Sequence, residues 1–171
     1  MKVISDKTDK EEIDIDNAIV ELRKADKYYI SFRILNRYGF YFQGLNCLLF
    51  SLETFFKLVY ALNKEEYSNT ELIRLGHNLK KTFKINGLDK EKFSLLFKIC
   101  SIYQYTEIRY DSSDLINELN GVDENGDFII LEKLSYELNS LHKLISEKIR
   151  NKFNNQFNSS EIGRYNLLES E

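Results

Sequence analysis

Apolar side chains recur at steps of three and four residues through most of this chain, and this spacing places them on one face of an α-helix. The first such stripe consists of Ile15, Ala18, Leu22, Ala25, Tyr29 and Phe32. The 171 residues contain no proline, which interrupts helices because it lacks a backbone N–H and clashes with the preceding turn. The pattern therefore predicts an all-α fold with long amphipathic helices.

Five helices are predicted from these stripes and from the turn residues between them. Their expected ranges are about 16–36, 40–62, 70–84, 90–104 and 131–154. The second helix carries apolar residues on two faces, which indicates that it is the central and most buried one. Short connections between such helices favour an up-and-down bundle of four to five helices.

Local signals mark where several of these helices begin. Asp14 or Asp16 can cap the first helix, since a carboxylate there accepts a free backbone amide. Ser68 and Glu71 form a capping-box sequence before the third helix. Asp89 can cap the fourth.

The bundle is predicted to occupy a single domain. Residues 1–13 are charged and patternless and are expected to be flexible, residues 14–157 form the bundle, and residues 158–171 are a C-terminal tail. Within the bundle, Asn-Gly turn signals indicate that a short hairpin could form near 120–130, with residues 128–130 in one arm.

Composition limits the compartment and the partners. The net charge of −3 gives no global basic field that would draw the whole molecule onto nucleic acid. Cys47 and Cys100 lie in apolar segments, which is typical of buried free thiols in a reducing compartment. The N-terminus lacks the apolar core of a signal peptide, and the uncharged segment 38–52 is shorter than the roughly 20 apolar residues of a spanning helix. We therefore expect a cytoplasmic protein that does not enter a membrane.

Two short segments carry a family resemblance. Residues 74–81 read Arg-Leu-Gly-His-Asn-Leu-Lys-Lys, and residues 108–111 read Ile-Arg-Tyr-Asp. The first resembles the Gly-His-Asp/Asn-Leu-x-x-Leu helix of many HEPN-like (higher eukaryotes and prokaryotes nucleotide-binding) proteins. The second is similar to the Leu-Arg-Tyr-Pro turn found downstream in that group, with aspartate in place of proline. The resemblance covers residues 16–155.

The resemblance implies a helical bundle that is commonly a homodimer. Many HEPN proteins are metal-independent endoribonucleases in toxin–antitoxin, phage-defence or RNA-processing systems, and others are non-catalytic partners. The active members use an arginine followed after four to six residues by a histidine. The histidine can move protons at the ribose 2′-OH and the leaving oxygen, and the arginine can stabilise the charge that develops on phosphorus.

The chain departs from that catalytic motif. Its histidines are His77 and His142, and no arginine stands at the motif spacing before either one. Arg150 and Asn151 resemble the start of the motif, but no histidine occupies 155–157. The departure favours a non-catalytic member.

The candidate site residues lie in the two resembling segments. If the protein is a nuclease, His77 and Arg74 are the candidate catalytic residues. On the third helix, steps of three and four make Arg74, His77 and Lys81 neighbours, and such a strip could hold a phosphate or an RNA backbone. The candidate binding residues are Gly76, Asn78, Lys80, Lys81, Arg109 and Tyr110.

Each candidate also has a structural interpretation. Gly76 can allow close helix packing while His77 caps a buried polar group, and the basic strip can be an ordinary solvated face. Arg109 and Tyr110 can position a turn. Several tyrosines could stack bases, but at helical spacing they also suit a core or a dimer interface: Tyr28, Tyr29, Tyr38, Tyr41 and Tyr60.

Metal and cofactor patterns are absent from the sequence, so neither is expected. Residues 123–127 superficially resemble a calcium loop but lack its alternating ligands and closing glutamate.

Three hypotheses remain for the function of the chain. In the first, the chain is a HEPN-like subunit that binds RNA, a nucleotide or a protein such as an antitoxin in a prokaryotic defence or toxin–antitoxin system. In the second, it is a divergent metal-independent endoribonuclease. In the third, it is a structural helical protein with no nucleic-acid role.

Overall fold

Helices make up most of the chain that the structure describes. The computed structural model describes residues 10–75, 78–102 and 129–153, and 79% of these residues are helical. The helices are α1 (Ile15–Arg37), α2 (Tyr41–Leu62), α3 (Asn69–Leu75), α4 (Leu79–Ile85), α5 (Ser94–Ile102) and α6 (Ile129–Lys152). The predicted all-α class is confirmed, and the arrangement is compatible with an up-and-down bundle.

A tight corner joins α1 to α2. Gly39 has a φ of +80°, in the left-handed region that glycine adopts at little cost. The Gly39 amide donates to the Asn36 carbonyl at 3.1 Å, and the Phe40 amide donates to the Leu35 carbonyl at 2.9 Å. These are the two hydrogen bonds of a Schellman motif, which satisfies the last carbonyls of α1 and fixes the direction in which α2 leaves.

The central helix of the core is α2, as its two apolar faces predict. Its buried apolar residues are Leu45, Leu48, Leu49, Leu52, Phe55, Phe56, Leu58, Val59, Ala61 and Leu62. Ser51 is also buried, and its hydroxyl donates to the Ala25 carbonyl of α1 at 2.8 Å. Phe42 stands seven residues before Leu49, at a spacing that suits the same apolar face, but it is exposed because it lies in the first turn of α2, beside the corner.

Among the described helices, α2 alone is long and apolar enough to cross a membrane by length and composition. Within its most apolar 18-residue window, 61% of the residues are buried inside the fold. The core helix of a soluble protein meets the same criterion, so this property is weak evidence for a membrane.

The third predicted helix is two helices in the structure. The capping box before α3 is confirmed, since the Ser68 amide donates to the Glu71 carboxylate at 3.0 Å and the Glu71 amide donates to the Ser68 hydroxyl at 3.1 Å. However, α3 ends at Leu75, and Asn78 caps the start of α4. The prediction of one helix over 70–84 was wrong, because the Asn78 side chain accepts a backbone amide and starts a new helix.

A carboxylate from α6 determines where α5 begins. Asp89 accepts two backbone amides of the turn that follows it, as expected for a cap. The amides of Leu95 and Leu96 instead donate to the Glu137 carboxylate, at 3.1 and 2.9 Å. Regular helix therefore begins at Ser94 rather than immediately after Asp89.

The start of α6 corrects part of the hairpin prediction. Ile129 and Ile130 were assigned to a hairpin arm, but both are helical. Ile130 stands four residues before Leu134 in the sequence, a spacing that also suits a helix. The rest of the predicted hairpin, up to residue 128, lies outside the described residues.

A two-residue antiparallel ladder connects the chain before α1 to the segment between α2 and α3. In it, β1 (Lys10–Glu11) pairs with β2 (Tyr67–Ser68). Ile13 is buried in the core. The end of the segment predicted to be flexible, 1–13, thus has defined partners, whereas residues 1–9 and the predicted tail at 158–171 lie outside the described residues.

Candidate functional site

The structure describes half of the sequence-predicted site residues. Arg74 lies in the last turn of α3, and Lys80 and Lys81 lie in the first turn of α4; all three side chains are exposed. Asn78 is the N-cap of α4, and its Oδ1 accepts the Lys81 amide at 2.9 Å. The other predicted residues, Gly76, His77, Arg109 and Tyr110, lie outside the described residues.

The predicted basic strip does not lie on one helical face. The expectation that Arg74 and Lys81 are neighbours required an unbroken helix, and α3 ends before Asn78 starts α4. Arg74 and Lys81 therefore lie on different helices, and the spacing of residues within one helix does not make them neighbours. What remains is three exposed cations, Arg74, Lys80 and Lys81, on the two sides of the interruption.

His142 forms a buried pair with Asp26 between α6 and α1. His142 Nε2 lies 3.3 Å from Asp26 Oδ2, and the two residues are only 5% and 7% exposed. The contact therefore joins two polar groups inside the fold, and it directs His142 Nε2 at a carboxylate oxygen rather than at solvent. Because it is enclosed, His142 is not placed to exchange a proton with an RNA substrate.

Further buried polar atoms follow His142 along α6. Ser146 and Arg150 stand one and two turns beyond it on the same face. Asp26 Oδ1, Ser146 Oγ and Arg150 Nε are buried without a hydrogen-bond partner among the described residues. Arg150, which resembles the start of the nuclease motif, therefore turns part of its guanidinium into the fold.

Sequence reasoning missed this polar interior, although the spacing contained a signal for it. Asp26 stands four residues after Leu22 and three before Tyr29, which puts it on the inward stripe of α1. His142 stands four residues after Leu138, on the inward stripe of α6. Ionisable residues on apolar stripes indicate a buried pair, but the sequence does not say which residues pair.

A second polar contact joins α1 and α6. Ser135 donates its hydroxyl proton to the Leu131 carbonyl at 2.9 Å, so the Tyr29 hydroxyl, 2.7 Å away, donates to Ser135. Arg33 Nη1 also donates to Ser135 Oγ, at 2.8 Å. Tyr29 is therefore a core residue rather than a base-stacking platform, and Arg33 helps to hold α1 against α6.

Exposed aromatic side chains cluster at the turn between α1 and α2. This aromatic corner consists of Ile34, Tyr38, Phe40, Tyr41 and Phe42. All five are exposed, and Tyr38 is the most exposed at 73%. Of the five tyrosines singled out in the sequence, the two in this corner are the exposed ones. Several large exposed apolar side chains at one turn of the fold are typical of an interaction site.

A shallow groove runs along the outer face of α1. This α1 groove encloses about 500 Å³ and is lined by Val20, Arg23, Lys24, Lys27, Tyr28 and Ser31. The ring of Tyr28 packs against Phe50 of α2, with centroids 5.6 Å apart. The groove thus combines cationic side chains with a fixed aromatic wall.

The cysteines and the acidic residues suggest no metal site among the residues described. No group of three or more His, Cys, Asp or Glu side chains in this part of the chain could hold a metal ion. Both cysteines are free thiols; Cys100 is buried as predicted, whereas Cys47 is only partly buried. Burial raises the pKa of both thiols, and more strongly for Cys100, so both are poor nucleophiles near neutral pH.

No protein-family model matches the chain, and no curated protein or solved structure is significantly similar to it.

Proposed function

We propose that this chain is a HEPN-like helical domain that serves as a non-catalytic binding subunit in a prokaryotic defence or toxin–antitoxin system. The aromatic corner carries the proposal. Four aromatic side chains and Ile34 are exposed within nine consecutive residues. A site of this composition resembles the centre of a protein interface, where aromatic anchors supply most of the binding energy. The resemblance supplies the proposed biological context.

The corner suits binding because its backbone is held before a partner arrives. The Schellman hydrogen bonds fix Gly39 and Phe40, and α2 approaches α1 closely at Gly44. A Cβ at Gly44 would lie 3.4 Å from the Phe32 carbonyl oxygen, so the helices there are in van der Waals contact. Little conformational entropy is then lost when the corner binds a partner.

We infer that the corner mediates formation of a homodimer. A two-fold dimer places the same patch of both subunits together, so one aromatic cluster can supply both sides of the interface. The burial of His142 against Asp26 removes that histidine as a candidate catalytic group.

Sedimentation velocity of the purified chain tests this proposal. The wild type is expected to show a concentration-dependent dimer, and Tyr38→Ser with Phe40→Ser is expected to weaken the dimer at least tenfold. Ile73→Ser is the matched control, because Ile73 is 74% exposed but lies on α3, outside the corner. A wild type that stays monomeric up to high micromolar concentration contradicts the proposal and favours a structural protein without self-association.

A divergent metal-independent endoribonuclease is the second candidate. The exposed cations Arg74, Lys80 and Lys81, on both sides of residues 76–77, favour it. Total RNA incubated with the protein in EDTA separates the two functions. Cleavage that is lost in His77→Ala identifies a nuclease, whereas no cleavage by either protein supports the binding subunit.

A further inference from the structure

We propose that the α1 groove binds an acidic amphipathic helix of a protein partner. The proposal rests on the proposed function as a binding subunit and assigns a second surface to it. The groove lies on the face of α1 opposite the core, whereas the aromatic corner lies at the end of α1. Ile34 belongs to the corner and also ends the face of α1 that carries the groove, whereas the residues that line the groove are separate from the corner.

The length of the groove face fits a helix. Val20, Lys24, Lys27, Ser31 and Ile34 follow one another at steps of four, three, four and three. They therefore share one face of α1, and its inward stripe lies on the opposite side. From Val20 to Ile34 this face extends for about 21 Å, at 1.5 Å per residue, so it can seat roughly four turns of a partner helix.

The cations of the groove determine the charge of the partner. Lys27 makes no salt bridge among the described residues, and Lys24 pairs only with Glu21, at 3.3 Å with both side chains exposed. An exposed pair of this kind contributes little, so a partner carboxylate can replace Glu21 at small cost. Two lysines one turn apart thus favour acidic residues one turn apart on the partner.

The ends of the groove face favour a protein over a nucleic acid. Val20 at one end is 56% exposed and Ile34 at the other is 52% exposed, so apolar contacts flank the cationic centre. Bound single strands need an unbroken basic track and aromatic faces on which bases can stack. Here the Tyr28 ring already packs on Phe50, and apolar residues close both ends of the track.

The expected partner segment therefore has a definite pattern. It is a helix of four turns with acidic residues at its centre, spaced by three or four, and large apolar residues about two turns to either side on the same face. This arrangement uses the helix-in-groove mode, in which spaced apolar anchors give affinity and charges set orientation.

A set of synthetic probes tests the groove. The first probe is an 18-residue helical peptide with leucines at the outer positions and glutamates at the centre. Two control peptides are its scrambled form and a form with lysine in place of glutamate. The fourth probe is a 12-nucleotide single-stranded RNA. Binding is measured by fluorescence anisotropy with the full chain at low and high salt. The protein variant is Lys24→Gln with Lys27→Gln, and Lys90→Gln with Lys133→Gln is the charge-matched control outside the groove.

The proposal predicts that the acidic peptide binds the wild type at least tenfold more tightly than its scrambled or lysine forms, and that high salt weakens it. The groove variant should lose at least tenfold in affinity, and the control should not change. Equal binding of the scrambled peptide, or tighter binding of the RNA that depends on Lys24 and Lys27, would overturn the proposal. Sedimentation of the groove variant separates this inference from the proposed function, because the dimer should persist when peptide binding is lost.

Discussion

At the scale of single residues, side chains from distant parts of the sequence satisfy buried groups of their neighbours. Glu137 of α6 accepts two amides at the start of α5, and Asn86 donates to the Phe56 carbonyl of α2 at 2.8 Å. Such bonds stabilise the fold mainly because their loss leaves a buried donor or acceptor without a partner. They contribute to stability rather than to the proposed binding.

Glu137→Ala should be among the most destabilising single substitutions in α6. The side chain is 2% exposed, and its removal leaves the Leu95 and Leu96 amides without an acceptor. We expect the free energy of unfolding to fall by about 2–4 kcal/mol, measured by urea denaturation followed by circular dichroism. Glu147→Ala, at an exposed position of the same helix, is the control. A loss below about 0.5 kcal/mol, the level expected for an ordinary surface position, would refute this role.

The two thiols should differ in reactivity. Burial raises the pKa of Cys100 far above its ordinary value and raises that of Cys47 less. Iodoacetamide should therefore modify Cys47 first, with a rate that increases with pH, and should reach Cys100 only when the chain unfolds. Peptide mass spectrometry after timed labelling gives the order, and early labelling of Cys100 in the folded protein would be inconsistent with its place in the core.

The same pKa shift has a consequence for stability. Burial raises the pKa of Cys100 in the folded chain. The contribution of this thiol to the free energy of unfolding is therefore fully present below the pKa of an unfolded thiol, about 8.5. That contribution is lost as pH rises towards the folded pKa. In Cys100→Ala, the free energy of unfolding should therefore fall less as pH rises from 7 to 10 than it does in the wild type, as measured by urea denaturation. An unchanged pH dependence would argue against this contribution.

At the scale of elements, local capping signals located the starts of α1 and α3, whereas a contact with a distant residue sets the start of α5. Asp14 caps α1 as predicted, because its carboxylate accepts the Asn17 amide three residues on. The start of α5 was not predictable, because Glu137 lies more than 40 residues away from the amides it accepts. The break between α3 and α4 was missed because the apolar stripe continues through it, although Asn78 is a residue that competes with helix continuation.

The corner between α1 and α2 should be sensitive to the residue at position 39. Gly39 has a φ of +80°, where a side chain is strained, although no atom lies within 4 Å of an added Cβ. Gly39→Ala should cost about 1 kcal/mol, and Gly39→Asn less, because asparagine tolerates the left-handed region better. Thermal unfolding of both variants measures the difference, and equal melting temperatures for alanine and wild type would show that the Schellman geometry is not required.

The turn before α5 should be sensitive to acid. The amides of Lys92 and Glu91 lower the pKa of Asp89 by hydrogen bonding to its carboxylate. Because the pKa of Asp89 is lowered in the folded chain, its contribution to the free energy of unfolding is present above the pKa of an unfolded aspartate, about 3.9. That contribution is lost as pH falls through the folded pKa. Stability measured between pH 2 and 5 should therefore fall less steeply in Asp89→Asn than in wild type; parallel curves would contradict the assignment.

At the scale of the whole molecule, the chain has a well-packed helical core and two surfaces that suit a partner. Periodicity predicted the core because burial follows from residue type and spacing. It did not predict the aromatic corner, since Tyr38, Tyr41 and Phe42 have the composition of core residues and only the course of the chain leaves them exposed. The pairing of Asp26 with His142 likewise depends on the packing of α1 against α6.

In the proposed homodimer, the aromatic corner joins two copies of this chain. To test this contact, Tyr38 is replaced with a photoreactive phenylalanine derivative, the purified protein is irradiated, and the crosslinked peptides are sequenced. The proposal predicts a covalent dimer whose crosslinks fall within residues 34–42 of the second copy, and no dimer when the same group replaces Ile73. The absence of a covalent dimer from position 38, or crosslinks that lie outside the corner, would contradict the claim.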